Sequence, residues 1–357
     1  MSAGTACPAQ EYFVPSLGLS GERGPLSDAV LSDVVDVTFT DGIDRIDSFT
    51  VTLVNWDDMT RTPKHSDAKT FLPGKKLALS LGYRGGGSLT RMLSGDITVA
   101  RTHFPADAVP TLTVTVVDVL HRLRDVRRTV VYEKMTDDAI AKKVAKRLGV
   151  SIKTSPVDGP VHPYVLQDNE YDVVFLLSLA RRAGYELWVD KDGVLRFGVA
   201  GKTEVHDLVW GEGTLVEFEP VLNFTRQVEG ATVRGWDRSR KEPIVASVAR
   251  GALPGPEDND LKRALAAATL GRKDITVGVV ASAGEAKHRA LGRLRTLGAE
   301  MLRASGSTIG LPDIRAGCRI KVGQVGTRFS GTYYVTGTEH RLGKSGYRTY
   351  FDCRREW

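Results

Sequence analysis

The sequence predicts an α+β fold that is mainly β, in which two similar small β-barrels flank an inserted α+β domain. Three observations predict it: two distant stretches repeat one strand pattern, the segment between them changes to helical periodicity, and strand-like alternation returns after that segment. A supersecondary unit that occurs twice in one chain is typical of a scaffold, because repetition multiplies surfaces rather than catalytic groups.

The repeated pattern has three parts, each an alternating strand or a strand with a glycine turn before it. Its two copies cover residues 73–79, 94–99 and 112–118, and then residues 316–322, 330–335 and 347–352. The pattern aligns Gly74 with Gly317 and Gly95 with Gly331, and both copies close on an aspartate. The glycines lie further apart in the first copy, which indicates a longer loop at residues 83–90. Chance similarity between strands with glycine turns is the alternative that the pattern leaves open.

Length and composition indicate a globular protein of several sub-domains. A chain of 357 residues exceeds what one hydrophobic core usually organises, and 41% hydrophobic with 26% charged residues is an ordinary composition. The longest apolar run, at residues 173–177, is too short to cross a bilayer, and residues 1–15 lack the pattern of a secretory signal. We therefore predict no membrane insertion. Scattered Cys7, Cys318 and Cys353 favour a reduced protein that is made in the cytoplasm.

The N-terminal third is predicted to form an arm and then the first β-barrel. Residues 1–30 are rich in Gly, Pro and Ser, which indicates an extended arm or an irregular strand. Residues 31–128 are assigned to the barrel, because short strands such as residues 48–54 alternate apolar and polar side chains between turn residues.

Residues 129–200 are predicted to form the inserted α+β domain. Thr136 can cap a helix in which apolar residues recur every four positions, and Gly149 ends it. Asn169 can cap a second amphipathic helix, which Gly184 ends, and a β-hairpin follows.

The rest of the chain is predicted to build the second β-barrel around an interruption. Residues 201–250 return to strand patterning and would begin this barrel, and residues 306–357 would complete it. Residues 251–282 are predicted to be an exposed loop, because residues 254–260 are dense in Pro, Gly, Asp and Asn. Residues 283–305 carry a helical stripe of Ala and Leu.

No pattern of an active site is found, and we predict no catalytic, cofactor-binding or metal-binding residue. The seven histidines occur neither as HExxH nor at a zinc spacing. Gly343-Lys344-Ser345 resembles the end of a phosphate-binding loop, but the position of that loop's first glycine is occupied by Thr338. Glu217 and Glu219 alternate in a strand without a visible partner acid. The sequence therefore predicts a protein that is not an enzyme.

The net charge of +6 and the isoelectric point near 9.1 would suit an anionic partner, but the basic residues are spread along the chain. The densest basic cluster, residues 121–128, is interpreted as a solvated or interface segment, with nucleic-acid contact as the alternative. A nucleic-acid-binding barrel needs aromatic residues between basic ones on one strand face, whereas Tyr333, Tyr334, Tyr347 and Tyr350 mostly fit core alternation.

Short motifs in order along the chain resemble one family. They are Gly95-Asp96-Ile97, His103-Phe104-Pro105, residues 116–123, Tyr132, Thr136-Asp137, Ile140-Ala141, Leu148-Gly149, residues 167–172, Phe175-Leu176, residues 180–184, Leu195-Arg196-Phe197, residues 329–335, His340 and residues 346–349. Over about residues 34–355 the chain resembles the phage late-control D proteins, which are contractile tail hubs. The N-terminal part of VgrG-type spike proteins shares their fold.

The resemblance implies a structural baseplate hub of a contractile phage tail or a phage-like contractile injection system. Such a hub is a homotrimer that adapts the hexameric inner tube, or a tube-initiator protein, to a trimeric spike. Because the sequence ends at Trp357 without a spike-like repeat, we expect a separate spike protein. Other baseplate proteins are expected partners, and nucleic acid and cofactors are not. We expect the assembled protein in the baseplate of a virion tail or injection particle, with residues 250–275 and the N-terminal arm contacting partners.

Two other functions stay open beside the hub. One is a tail-associated cell-wall hydrolase, which requires paired acids that converge in a cleft. The other is a basic nucleic-acid-binding barrel protein.

Overall fold

The structure is a computed structural model that describes residues 14–85, 87–124, 126–154, 159–190, 193–199, 205–238 and 240–356. Cys7, Trp357 and the first half of the expected N-terminal arm lie outside the described residues. Within them most regular structure is strand, which confirms the mainly β class. No helix in the described part of the chain combines the length and apolar character that a bilayer crossing requires.

The first β-unit contains seven strands and one short helix. They are β1 (Pro15–Gly21), β2 (Gly24–Pro25), α1 (Asp28–Ser32), β3 (Val34–Gly42), β4 (Ser48–Val54), β5 (Lys76–Tyr83), β6 (Thr90–His103) and β7 (Thr111–Val117). Six of these strands pair antiparallel in the order β1-β5-β6-β7-β4-β3. β1 pairs with β5 along its whole length, so this part of the expected arm belongs to the sheet.

The inserted segment follows a 3-10 turn at Val119–Arg124. Its elements are β8 (Arg127–Met135), α2 (Asp137–Leu148), β9 (Ile152–Thr154), β10 (His162–Tyr171), α3 (Asp172–Ala183), β11 (Glu186–Val189) and β12 (Leu195–Gly198). Gly149 and Gly184, at φ +67° and +68°, end α2 and α3 in the left-handed conformation that glycine adopts without strain. Both helix ends confirm the sequence prediction.

The predicted cap of the second helix was wrong. Asn169 lies within β10, where its φ of +47° accompanies a break in register opposite β8, and its backbone N–H donates to the Thr129 hydroxyl. The helix begins after Tyr171. An asparagine tolerates the left-handed region at a β-bulge as readily as it caps a helix, so residue type alone did not separate the two roles.

The remaining elements occupy the C-terminal part of the chain. They are β13 (Val205–Val209), β14 (Leu215–Leu222), β15 (Gly230–Asp237), β16 (Glu242–Ala249), α4 (Asn259–Thr269), β17 (Lys273–Val277), α5 (Ala283–Ala299), β18 (Leu302–Ile309), β19 (Arg319–Gly323), β20 (Gly331–Gly343) and β21 (Gly346–Arg355). The second β-unit has the order β13-β19-β20-β21-β18-β14.

The prediction that all strands of residues 201–250 begin the second barrel was wrong for β15 and β16. These strands form a separate sheet with β17. Ala231 and Val233 of that sheet pack against Ala290 and Leu294 of α5, because the apolar stripe of the helix covers this face. The helix ends at Ala299 and β18 begins at Leu302, earlier than the predicted helix boundary.

The predicted exposed loop at residues 251–282 contains α4 and β17. The Asp258 side chain accepts hydrogen bonds from the backbone N–H groups of Asp260 and Leu261 and so begins α4, which buries Leu261 and Leu265. The loop prediction was wrong there, because the same acidic residue that suggested a loop is a good helix N-cap.

The internal repeat is present in the backbone hydrogen bonds. In the first unit the N–H of Gly74 donates to the Ile97 carbonyl oxygen at 2.8 Å, and the Ile97 N–H donates back to the residue after the glycine. Gly317 and Val335 make the same two bonds in the second unit, at 2.9 and 3.0 Å. Both glycines have φ near +90°. Each unit is therefore built around the same strand crossing.

In both units a β-bulge lies one residue after this strand crossing. Register breaks follow Ile97 in β6 and Val335 in β20. At each break a threonine hydroxyl, of Thr98 or Thr336, donates to a carbonyl oxygen on the next strand, at 3.4 and 3.1 Å. The two units share this bulge as well as their strand order.

The alignment predicted from sequence had the right strands and the wrong register. Because Ile97 is equivalent to Val335, Gly331 corresponds to Leu93 rather than to Gly95. The closing aspartates do not correspond either, since Asp352 is equivalent to Thr115, three residues before Asp118. The shift of two residues at the glycines keeps each side chain on its own face of the strand, so alternation does not detect it.

Each β-unit curves around its own core. All six paired strands of the first unit contribute to one apolar cluster, which includes Leu19 of β1 and Phe39 of β3 from opposite ends of the strand order. The second unit does the same with Leu208 of β13 and Leu215 of β14. The inserted segment has a third core, in which Tyr132 and Phe175 stack.

Candidate functional site

The two β-units meet at a seam between β3 and β20. The first part of β20 pairs with β19, and its second part pairs antiparallel with β3, from Gly337 opposite Gly42 to Leu342 opposite Val37. This pairing makes one continuous sheet of the two units. The seam is therefore an interface between two copies of one structural unit within a single chain.

A buried aspartate holds the seam together. Asp41 of β3 is paired with Arg315 of the second unit and accepts hydrogen bonds from the backbone N–H groups of Ala316 and Thr338, at 3.2 and 3.1 Å. Arg315 also donates to the Met92 carbonyl oxygen at 2.9 Å. Burial alone would raise the pKa of Asp41, but Arg315 and Thr338 outweigh it and hold the pKa below its usual value.

Two further carboxyl groups lie beside this pair. Asp47 and Asp118 are buried and connected, since the Asp47 N–H donates to the Asp118 carboxylate at 3.0 Å. Burial raises the pKa of Asp118 to about 6. Burial and the neighbouring Asp41 and Asp118 raise the pKa of Asp47 well above its usual value, and Arg315, which lies 3.9 Å away, offsets this only in part. Both side chains are buried, so neither solvent nor a substrate reaches them, and we interpret their role as structural.

Aromatic and histidine side chains complete the contact between the units. Tyr83 of the first unit donates to the Gly310 carbonyl oxygen at 2.9 Å, and its ring lies 5.8 Å from that of Tyr347. Tyr347 in turn is 2.9 Å from His340, whose pKa burial lowers to about 4. A neutral buried histidine contributes packing and hydrogen bonds rather than charge.

A groove of about 1140 Å³ lies between the inserted segment, α5 and the second unit. Its lining is rich in arginine, with Arg45, Arg181, Arg182, Arg289, Arg293, Arg295, Arg303 and Arg354. Acids neutralise several of them: Arg293 lies 3.0 Å from Asp274, and Arg354 pairs with Glu186. Within the described ranges, no three His, Cys, Asp or Glu side chains are grouped so that they could bind a metal ion.

Two strand edges carry no partner among the described strands. The second half of β6, Val99 to His103, pairs only with β7, and all five residues are exposed. Apart from one isolated bridge between its first residue, Leu215, and Trp210, the strand β14 pairs only with β18. An unpaired edge exposes backbone N–H and carbonyl groups that can extend a sheet.

The sequence pattern did not identify the residues of the seam. Asp41 and Arg315 lie far apart in the chain, and their pairing depends on the meeting of β3 and β20. The sequence pattern included Asp118 only as the aspartate that closes the first copy of the repeat. The tyrosines expected in the core are largely there, since Tyr333, Tyr334 and Tyr347 are buried.

The last two arginines of the basic cluster, residues 121–128, contact side chains elsewhere in the chain. Arg127 lies over the ring of Tyr171, with 5.0 Å to its centroid, and Arg128 lies 3.4 Å from Asp172. Both contacts favour the interpretation as an interface segment, here within the chain.

Solved structures of tail proteins share this fold. The 43 kDa tail protein of prophage MuSo2 from Shewanella oneidensis has a TM-score of 0.71 at 16% identity, over 96% of this chain and 98% of that one. A tail protein from Neisseria meningitidis MC58 has a TM-score of 0.69 at 14% identity, over 96% and 97%. No curated protein sequence matches the chain significantly.

A third similar structure comes from a secretion system. The E. coli c3393 protein, a component of the type VI secretion system with structural similarity to the T4 bacteriophage tail proteins gp27 and gp5, has a TM-score of 0.63 at 14% identity, over 95% of this chain and 77% of that one. The model of the Alg8 N-terminal domain matches residues 24–344. Because this match spans most of the sequence, the chain belongs to the Alg8 N-terminal domain family.

Proposed function

We propose that this chain is a structural hub in the baseplate of a contractile phage tail or a phage-like contractile injection system. In the proposed hub, three chains form a ring that joins a hexameric inner tube to a trimeric spike. Its partners are then further copies of itself, the tube or a tube-initiator protein, the spike and other baseplate proteins.

One observation carries the proposal: the chain contains the same β-unit twice, with the same strand order, strand crossing and bulge. Three such chains would present six similar units. A six-fold tube could bind all six on one side, while the chains themselves keep the three-fold symmetry of a spike. A single-unit protein would offer only one of these symmetries.

The fold shared with tail proteins and with a type VI secretion component supports a role in such a machine. The structure offers less support for the hydrolase, because the two acids with raised pKa values, Asp47 and Asp118, are buried in the seam rather than set in a cleft.

Native mass measurement of the purified chain at high micromolar concentration tests the proposal. We expect a species of three chains, with ring-shaped particles in electron micrographs. A strict monomer would overturn the hub. Salt-sensitive DNA binding by that monomer would favour the nucleic-acid-binding barrel instead, and release of cell-wall fragments would favour the hydrolase.

A further inference from the structure

We infer that neighbouring chains join edge to edge, with the second half of β6 pairing antiparallel with β14 of the next chain. This inference rests on the proposed ring and names its contact surface. It starts from the seam within one chain, where β20 pairs with β3. Because the units are equivalent strand by strand, β6 corresponds to β20 and β14 corresponds to β3.

The equivalence of β3 and β14 extends to the residue. Both strands have a register break one residue after they begin, between Val34 and Asp36 in β3 and between Leu215 and Glu217 in β14. Each then pairs with the equivalent neighbour, β4 or β18. The two edges that remain open in the chain are therefore the counterparts of the two edges that meet in the seam.

The seam also sets the register of the proposed contact. Glu339 lies opposite Thr40 in the chain, which places Arg101 opposite Val221 between chains. By the same correspondence His103 lies opposite Glu219. On the opposite face of the two strands Phe104 lies opposite Phe218, because these residues correspond to Leu342 and Val37, which lie opposite each other in the seam.

The chemistry of the two edges is complementary. The β6 edge carries Arg101 and His103 on one face, and the β14 edge carries Glu217 and Glu219 on the matching face. All four side chains are exposed, and none of them has an ion pair with another described residue. Phe104 is 54% exposed, and the contact would cover it. Opposite charges on one face with apolar residues on the other favour a second copy of this chain as the occupant.

Proline at position 220 affects the ladder without preventing it. Pro220 lies in β14, and proline is tolerated on an edge strand that lacks a partner within the chain. The intermolecular ladder would lack one N–H donor at this residue. The contact would then depend more on side chains, and on the remaining backbone groups, than the seam does.

Disulfide cross-linking tests the contact and its register. The variant Arg101→Cys with Val221→Cys, with Cys7 replaced by Ser, places the cysteines in a pair that is not hydrogen-bonded, where Cα atoms approach to about 4.5 Å. We expect oxidation to give linked dimers and trimers and no larger species. The matched control, Arg101→Cys with Glu217→Cys, moves one cysteine about 13 Å along the strand and should not cross-link.

The outcomes separate this inference from the proposed function. If the unmodified chain forms a three-chain ring and the variant Arg101→Cys with Val221→Cys does not cross-link, the edge contact is overturned and the hub stands. If the unmodified chain stays monomeric at high concentration, the ring and its contact fall together. Linked species longer than three chains would indicate an open filament and would contradict the closed ring.

A charge exchange gives an independent readout. His103→Glu and Glu219→Lys should each weaken association roughly three- to tenfold, because the first places two carboxylates opposite each other and the second places a lysine diagonally across from Arg101 on the same face. The two changes together should restore association, because a glutamate at position 103 then lies opposite a lysine at position 219 in every contact. Failure of the double variant to recover, with both single variants folded by circular dichroism, would contradict this register.

Discussion

At the scale of single residues, the seam buries three carboxyl groups, of which Asp41 pairs with Arg315, and their roles differ. Asp41 is ionised because it receives Arg315 and several hydrogen bonds. Asp47 has a raised pKa because it is buried beside two other acids. A charged group that depends on a partner across an interface should respond to mutation very differently from a neutral one.

We expect Asp41→Asn to lower the free energy of unfolding by about 3 kcal/mol, because it leaves the largely buried Arg315 without its partner charge. The control Asp47→Asn should change it by less than about 1 kcal/mol at neutral pH, since an amide resembles a protonated carboxyl group. Urea unfolding measures both. Equal losses in the two variants would contradict this division of roles.

A buried histidine links the inserted segment to α5. His162 Nε2 lies 3.2 Å from Asp137, and His162 Nδ1 lies 3.3 Å from Glu285. Arg182 and Arg289 neutralise the outer sides of these acids. Burial opposes the charge of His162, but the close carboxylates of Asp137 and Glu285 outweigh burial and raise its pKa above 6.5.

Because this pKa is raised by folding, protonated His162 stabilises the protein below about pH 6.5, and that stabilisation is lost as pH rises through the folded-state pKa. His162→Gln should therefore destabilise the protein more at about pH 6 than at about pH 9. Urea unfolding at both values measures the difference from the unmodified protein. The same difference at both values would show that His162 acts only by packing.

At the scale of elements, α3 and α5 cross at two glycines. A Cβ atom added to Gly292 of α5 would lie 2.7 Å from the carbonyl carbon of Ala183, and one added to Gly184 would lie 2.7 Å from the Cα of Gly292. The crossing therefore brings backbone against backbone. A side chain at either position would force the helices apart.

We expect Gly292→Ala to lower the free energy of unfolding by about 1 to 3 kcal/mol, because the contact cannot relax without moving a helix. Gly298→Ala is the matched control in the same helix, since its Cβ would make only an ordinary contact of 3.8 Å with Leu253. That variant should gain about 0.5 to 1 kcal/mol from helix propensity. Thermal or urea unfolding of both measures the effect, and stabilisation by Gly292→Ala would contradict the close crossing.

At the scale of the whole molecule, the two β-units are similar without being identical. The end strand β1 pairs antiparallel with β5, whereas its counterpart β13 pairs parallel with β19. The inserted segment lies between the units in sequence, and α5 with its sheet interrupts only the second. A ring of three chains would therefore be six-fold only approximately.

We expect electron microscopy of the purified ring to show six inner lobes with three-fold symmetry, because the insert and the α5 layer occur once per chain. Three-dimensional averaging measures this. Imposing six-fold symmetry should blur the outer features and leave the strands of the inner lobes recognisable. Equal density at all six outer positions would contradict the arrangement.

The sequence by itself determined the strands, the repeat and the ends of α2 and α3, because strand alternation and left-handed glycines are local properties. The tertiary structure decided the register of the repeat, since a two-residue shift leaves alternation unchanged. It also decided that β15 and β16 join α5, and that Asp41 meets Arg315. These choices depend on contacts between residues distant in sequence, and one sequence carries no local signal for them.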